Sequence, residues 1–214
     1  MKKISLIATV VGGLGLYPAA LAQKWEVGGG VGGSFYTAQQ VKNATVSADV
    51  GLATAINTSF WLGNNSSRLL GGELRYDYEN TSLKVSSSGT MASFGAETHA
   101  FHYDILLHFT PRSSPVRPYV SAGGGVKLYR GIGKEVAFQP LSSLALLTKS
   151  TEIKPMLSFG AGLKLAVART IQLRVEIRDA LTPFPKTVIA PAQGAKINGW
   201  MQDFMVLAGL SLTF

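Results

Sequence analysis

Residues 121–128 read SAGGGVKL, and residues 158–165 read SFGAGLKL. A glycine run that closes on a lysine can cradle a phosphate with backbone amides and a cation. A nucleotide loop, however, needs Gly-x4-Gly-Lys-Ser/Thr between a strand and a helix. Neither stretch has that spacing, and neither leads into a helical pattern. A second constellation is His102 with Asp104, two residues apart and on one side of an extended chain. A carboxylate beside an imidazole can orient it for acid–base work. His99 and Asp77 are the other groups that could join such chemistry. The bland reading of His102 and Asp104 is a hydrogen bond between interior side chains, and it is the favoured one. The chain has no cysteine, which removes thiolate nucleophiles and disulfides. No His, Cys, Asp or Glu spacing marks a metal site, and no cofactor is implied.

The elements that carry these residues repeat every second position, which is the period of a strand. Trp25, Val27, Val31 and Phe35 share a face, as do Val50, Leu52, Ile56, Phe60 and Leu62. Leu70, Leu74, Tyr76 and Tyr78 lie opposite Glu73, Arg75 and Asp77. Phe101, Tyr103, Ile105, Leu107 and Phe109 lie opposite His102, Asp104 and His108. The two glycine–lysine stretches are strands of the same kind, with Gly123, Gly125 and Lys127 on one polar face and Gly160, Gly162 and Lys164 on another. Ile171, Leu173, Val175 and Ile177 oppose Gln172, Arg174, Glu176 and Arg178. Phe204, Val206, Ala208, Leu210 and Leu212 complete an eighth strand. Long polar segments at 37–47, 79–97, 130–152 and 181–200 alternate strictly with short turns.

The ends add direction. Lys2 and Lys3 precede an apolar run and an A-x-A site at Ala20 and Ala22. This is the pattern of a secretory leader over residues 1–22, with a single domain at 23–214. The last residues, AGLSLTF, stop on an aromatic within a strand. Gly209, Leu212 and Phe214 resemble the C-terminal signal read by the outer-membrane barrel assembly machinery, although Leu207 stands where a polar residue is expected.

Alternation alone does not say which face points outward. The apolar faces carry almost no charge over strands of about ten residues, which suits a lipid-facing band roughly 25 Å tall. Long loops outside and short periplasmic turns fit the same architecture. The reading is all-β: an eight-stranded antiparallel up-and-down transmembrane barrel. Its polar faces put Glu26, Asp49, Glu73, Asp77, Asp104, Glu176 and Asp203 in the lumen with Arg75, Lys127, Lys164, Arg174, Arg178 and His102. So narrow an interior is filled by side chains, and buried charges need partners. Lys127 and Lys164 are expected to meet Glu73, Asp104 and Glu176. Tyr36, Tyr76, Tyr78, Tyr103, Trp25, Trp61 and Trp200 are candidates for interfacial girdles.

The phrases LLGGELRYDY, RPYVSAGGGVKLY, LRVEIRDAL and AGLSLTF resemble the small OmpA-like and OmpX-like outer-membrane barrels, the outer membrane protein beta-barrel domain group. The resemblance covers nearly all of 23–214. It implies a monomeric barrel in the outer membrane of a Gram-negative-type bacterium, with its loops outside the cell. A non-enzymatic structural or surface-interaction role is favoured. A narrow pore for small solutes is the alternative, and a lipid A-modifying enzyme is a lower one, since the deacylase-like His-x-Ser is missing where Asp104 stands. The net charge of +8 does not favour nucleic acid, because the bases are spread over loops and lumen rather than gathered in one stripe. Lys42, Lys84, Lys134, Lys149, Lys154, Lys186 and Lys196 fall in or beside the long segments, where lipopolysaccharide phosphates would attract them. Segments 136–147 and 183–192 are unusually apolar for loops, and either fold over the mouth or meet a partner.

Overall fold

The computed structural model describes residues 24–43, 46–65, 67–134, 136 and 138–214. The expected leader, with Ala20 and Ala22, lies outside the described residues. The chain forms β1 (Trp25–Tyr36), β2 (Gln39–Lys42), β3 (Ser47–Leu52), β4 (Ala55–Asn64), β5 (Leu70–Ser87), β6 (Thr90–His108) and β7 (Val116–Gly131). It continues with β8 (Ala145–Leu147), β9 (Thr151–Ala166), β10 (Ile171–Pro183), β11 (Ile189–Pro191), β12 (Lys196–Ile197) and β13 (Trp200–Thr213). Eight of these make a ring in the order β1, β4, β5, β6, β7, β9, β10, β13. The ring closes where β13 pairs antiparallel with β1, from Glu26↔Thr213 to Tyr36↔Asp203. Closure leaves no strand edge unpaired around the wall, as a sheet in lipid requires.

The wall presents its apolar face outward. Val31 is 61% exposed and Ile56 is 72% exposed, while Ser34 and Asn57, inward on the same two strands, are fully buried. On β5 and β6 the pattern then inverts. Leu74, Tyr76 and Tyr78 point out, but so do Asn80, Ser82 and Lys84 beyond them. Glu73, Arg75, Asp77 and Glu79 point in, followed by Leu83 and Val85. On β6 the outward row passes from Phe101 and His99 to Glu97 and Ser93, and the inward row passes from His102 to Ala96, Phe94 and Ala92. A wall that is apolar outside below this line and apolar inside above it changes solvent there. The line marks the outer rim of the lipid belt.

Three features differ from the sequence reading. The segment 79–97 is not a polar loop. It is the continuation of β5 and β6, paired to Ser87↔Thr90 and closed by the two-residue turn Ser88-Gly89, with φ of 47° and 83°. Positive φ at both central residues is the hairpin turn that matches strand twist. The second apolar face also does not hold together. β3 pairs with β5 at Leu52↔Leu83, and β4 pairs with the same strand at Ile56↔Asn80. Three residues, Ala53 to Ala55, therefore oppose two, Thr81 and Ser82. This is a bulge, and one extra residue reverses the facing of everything beyond it. Val50 and Leu52 consequently point inward while Ile56, Phe60 and Leu62 point outward. Finally, Trp61 and Tyr36 are not girdle aromatics. Trp61 is 4% exposed inside the barrel, and the Tyr36 hydroxyl reaches the interior carboxylate of Glu79.

Above the rim an apolar core fills the barrel mouth. Val41, Val50, Leu52, Leu83, Val85 and Phe94 from the raised wall pack with Leu144, Leu147, Phe184, Val188 and Ile189 from the third and fourth long segments. Residues 141–147 and 184–189 of the two apolar stretches thus fold over the mouth, whereas Val136 and Phe138 stay exposed. β8 and β11 pair across them, Leu147 opposite Ile189. The Gln139 amide brackets Leu147, donating to its carbonyl at 2.8 Å and accepting from its N–H at 3.0 Å. That satisfies backbone that would otherwise be buried without a partner. β12 ties the fourth segment to β2, at Lys196↔Lys42 and Ile197↔Val41.

Candidate functional site

Below the rim the interior is a continuous set of ion pairs. Strand alternation delivers it, because every second residue of all eight strands faces one narrow lumen. At the periplasmic side Glu26 accepts from Lys164 Nζ at 2.5 Å, Trp61 Nε1 at 3.2 Å and Asn65 Nδ2 at 3.4 Å. At mid-height Arg75 donates to Glu73 and Asp77, each at 3.1 Å, and to Glu176. Arg174 donates to both oxygens of Glu73, with Nη2 to Oε1 at 3.0 Å, and its Nε reaches Glu176 at 3.1 Å. Arg178 meets Asp104 and donates to Ser158 Oγ at 2.6 Å. Towards the rim Lys127 Nζ lies 2.5 Å from Asp203, 3.0 Å from Glu79 and 3.1 Å from the Tyr36 hydroxyl. Glu79 also accepts from Ser34 at 3.0 Å, Asn57 at 3.0 Å and Thr98 at 2.5 Å.

Aromatic faces complete the packing. The Arg174 guanidinium lies 4.7 Å from the Trp61 ring and 5.0 Å from the Tyr119 ring, and Arg75 lies 5.2 Å from Trp61. A guanidinium sandwiched between rings is attracted to both faces. The glycines make room for these groups. A Cβ at Gly162 would sit 2.6 Å from the Tyr119 hydroxyl, and one at Gly28 would sit 2.5 Å from the Trp61 indole.

His102 sits between two carboxylates, with Nδ1 3.0 Å from Asp104 and Nε2 2.9 Å from Asp77. Both ring nitrogens are therefore engaged, and neither is left to activate a hydroxyl. Ser59, the nearby alcohol, donates to Asp77 instead. His99 lies on the other side of the wall, bonded to the Tyr76 hydroxyl at 2.7 Å. The histidines do not converge on one site. Among the described residues, no group of three or more His, Cys, Asp or Glu could hold a metal ion.

One lumen assignment is wrong. Asp49 is exposed on the outside of β3, opposite Gln40 and Ser86. The bulge at 53–55 turns it away from the interior. Lys127 and Lys164 also meet partners other than those expected: Glu79 and Asp203 for the first, Glu26 for the second. Glu79 is the residue that sequence reasoning missed. Its signal was present, since it continues the row Glu73, Arg75, Asp77 at the same spacing. At the chain end Leu212 and Phe214 face outward, while Gly209 faces inward and clears the Trp61 ring.

A family model described as the outer membrane protein beta-barrel domain matches residues 6–201. No curated protein matches the chain. Among solved structures, OprG from Pseudomonas aeruginosa superposes with a TM-score of 0.62 at 11% identity, over 90% of this chain and 96% of that one. Neisserial surface protein A superposes with a TM-score of 0.53 at 14% identity, over 89% of this chain and 97% of that one. Identities this low speak for the fold alone. The family match over nearly the whole length, joined to a closed ring with a lipid-facing belt, makes the chain a member of the outer membrane protein beta-barrel domain family, resident in a Gram-negative outer membrane.

Proposed function

We propose that this barrel is a non-enzymatic, monomeric surface protein whose interior is filled for stability rather than opened for transport. One observation carries the reading: two different fillings of the interior lie in series along the barrel axis. The ion-paired lumen of Arg75, Arg174 and Arg178 lies below, and the apolar core around Leu147, Phe184 and Ile189 lies above. A conducting path would have to break buried ion pairs and also unpack the mouth. The membrane-facing and outward parts carry the contacts instead. Lys42 and Lys196 stand directly opposite each other across β2 and β12. Like charges so placed repel, and a phosphate from lipopolysaccharide would relieve that repulsion. Leu212 and Phe214, outward at the last strand, suit recognition by the barrel assembly machinery.

The test is conductance. The refolded mature chain, reconstituted in planar bilayers, is expected to stay silent from pH 5 to 8. Reproducible steps that vanish in Arg174→Ala would overturn the reading in favour of a narrow pore.

A further inference from the structure

At the periplasmic end of the lumen the buried polar groups are not all satisfied. Arg117, at the start of β7 and 4% exposed, has Nε and Nη2 buried without a hydrogen-bond partner among the described residues. His108 Nε2, at the end of β6, is buried in the same condition, while its Nδ1 faces the Leu69 carbonyl at 3.2 Å. Arg117 stands opposite Lys164 in the strand register. The carboxylate that bears on it is Glu26, which is already held by Lys164, Trp61 and Asn65.

The turns outside this mouth are basic as well. Arg68, Pro111, Arg112 and Ser113 line a hollow of about 450 Å³. The Arg112 guanidinium is pinned by the Ser67 carbonyl, at 3.2 Å from Nε and 2.8 Å from Nη2, and Arg117 follows five residues on, at the foot of β7. A buried guanidinium whose one nearby carboxylate is shared with other donors is costly. Arg68, Arg112 and Arg117 are gathered in the periplasmic turns and at the foot of β7, where the one nearby acid is spent, and that arrangement describes a site for an anion. Arginine forks match oxyanions by paired N–H donors, and three guanidinium groups suit an ion with several acceptor oxygens better than one carboxylate.

We propose that the periplasmic mouth binds a phosphate-class oxyanion, with Arg117 reaching it from the lumen wall and Arg112 and Arg68 from the turns. Two sources present this chemistry at that depth: free phosphate in the periplasm and the headgroup phosphate of an inner-leaflet phospholipid. The site is at the opposite end of the molecule from the surface role proposed above and does not depend on it.

The experiment is ³¹P NMR of the refolded mature protein in non-ionic detergent. Inorganic phosphate and dihexanoyl phosphatidylglycerol serve as separate probes. Broadening of either signal is expected, with at least a fivefold loss of affinity in Arg117→Gln and in Arg112→Gln. The equal-charge control Arg130→Gln, on the exposed extracellular side, keeps full binding. Broadening by phosphate assigns the free ion, and broadening by the lipid alone assigns the membrane. Arg112 lies in an exposed turn, so its variant reports even if Arg117→Gln fails to give a heat-modifiable folded band. No broadening by either probe, or broadening that Arg112→Gln leaves unchanged, would overturn the proposal.

Discussion

Two fillings occupy one wall. Below the rim, the interior around Arg75, Glu73, Arg174 and Glu176 is charged and the outside is apolar. Above it, the interior around Leu83, Phe94, Leu147 and Phe184 is apolar and the outside carries Asn80, Lys84, Glu97 and Asp49. The same strands serve both parts without interruption, β5 and β6 most visibly. Each part is ordinary for its surroundings. In lipid, apolar side chains gain nothing by going inside, so polar groups collect there and must pair. In water, burial of apolar surface resumes as the driving term. The two halves should therefore fail differently.

The largest effect is expected in the charged half. Arg174→Met leaves Glu73 and Glu176 short of their main cation, and removing one partner of a buried pair costs about 3–5 kcal/mol. Urea unfolding of the refolded barrel in detergent, followed by tryptophan fluorescence, measures it. A loss under 1 kcal/mol would mean that water already reaches the lumen. In the apolar half, Leu147→Ala is expected to cost about 2–4 kcal/mol by transfer and cavity terms. Here the loss should appear as local opening: hydrogen exchange speeds up in 141–150 and 184–191 while the membrane-level strands stay protected. Protection lost equally in both halves would erase the distinction. Glu79→Gln sits at the border, where it weakens charge-assisted bonds from Lys127 and its neighbours, and about 1.5–3 kcal/mol is expected in the same urea assay. Asp49→Asn, on the water side of β3, should change stability by less than about 0.5 kcal/mol. A larger change would put Asp49 inside after all.

How much of this could be read from residues alone follows from the same contrast. From β6 to β13 the apolar row is long and uninterrupted at membrane level, so the ring, its closure and most of the lumen charges were legible. The raised part was not. On β5 and β6 the polarity of each face inverts near Tyr78 and His99, and the short mixed row Asn80 to Ser87 then looks like a loop. On β3 and β4 two reversals cancel. The bulge flips the facing and the change of solvent flips the polarity, so Val50, Leu52, Ile56, Phe60 and Leu62 look like one continuous face. That cancellation is what carried Asp49 into the wrong compartment. The ion-pair partners were illegible for another reason. Strand tilt brings residues from distant strands to one height, and Lys164 meets Glu26, 138 positions away, rather than the acids nearer in the sequence.

The hairpin of β5 and β6 sets a distance scale. From Asn80 to Ser87 the strand climbs beyond the lipid rim. At about 3.3 Å per residue and a tilt near 40°, that is roughly 20 Å of height. The Ser88-Gly89 tip therefore stands clear of the acyl and headgroup layers, level with the sugars that coat the cell. Anything approaching from outside meets this small, uncharged tip beside the β2–β3 hairpin, whose Ser47 carbonyl accepts from Ser87 at 2.8 Å.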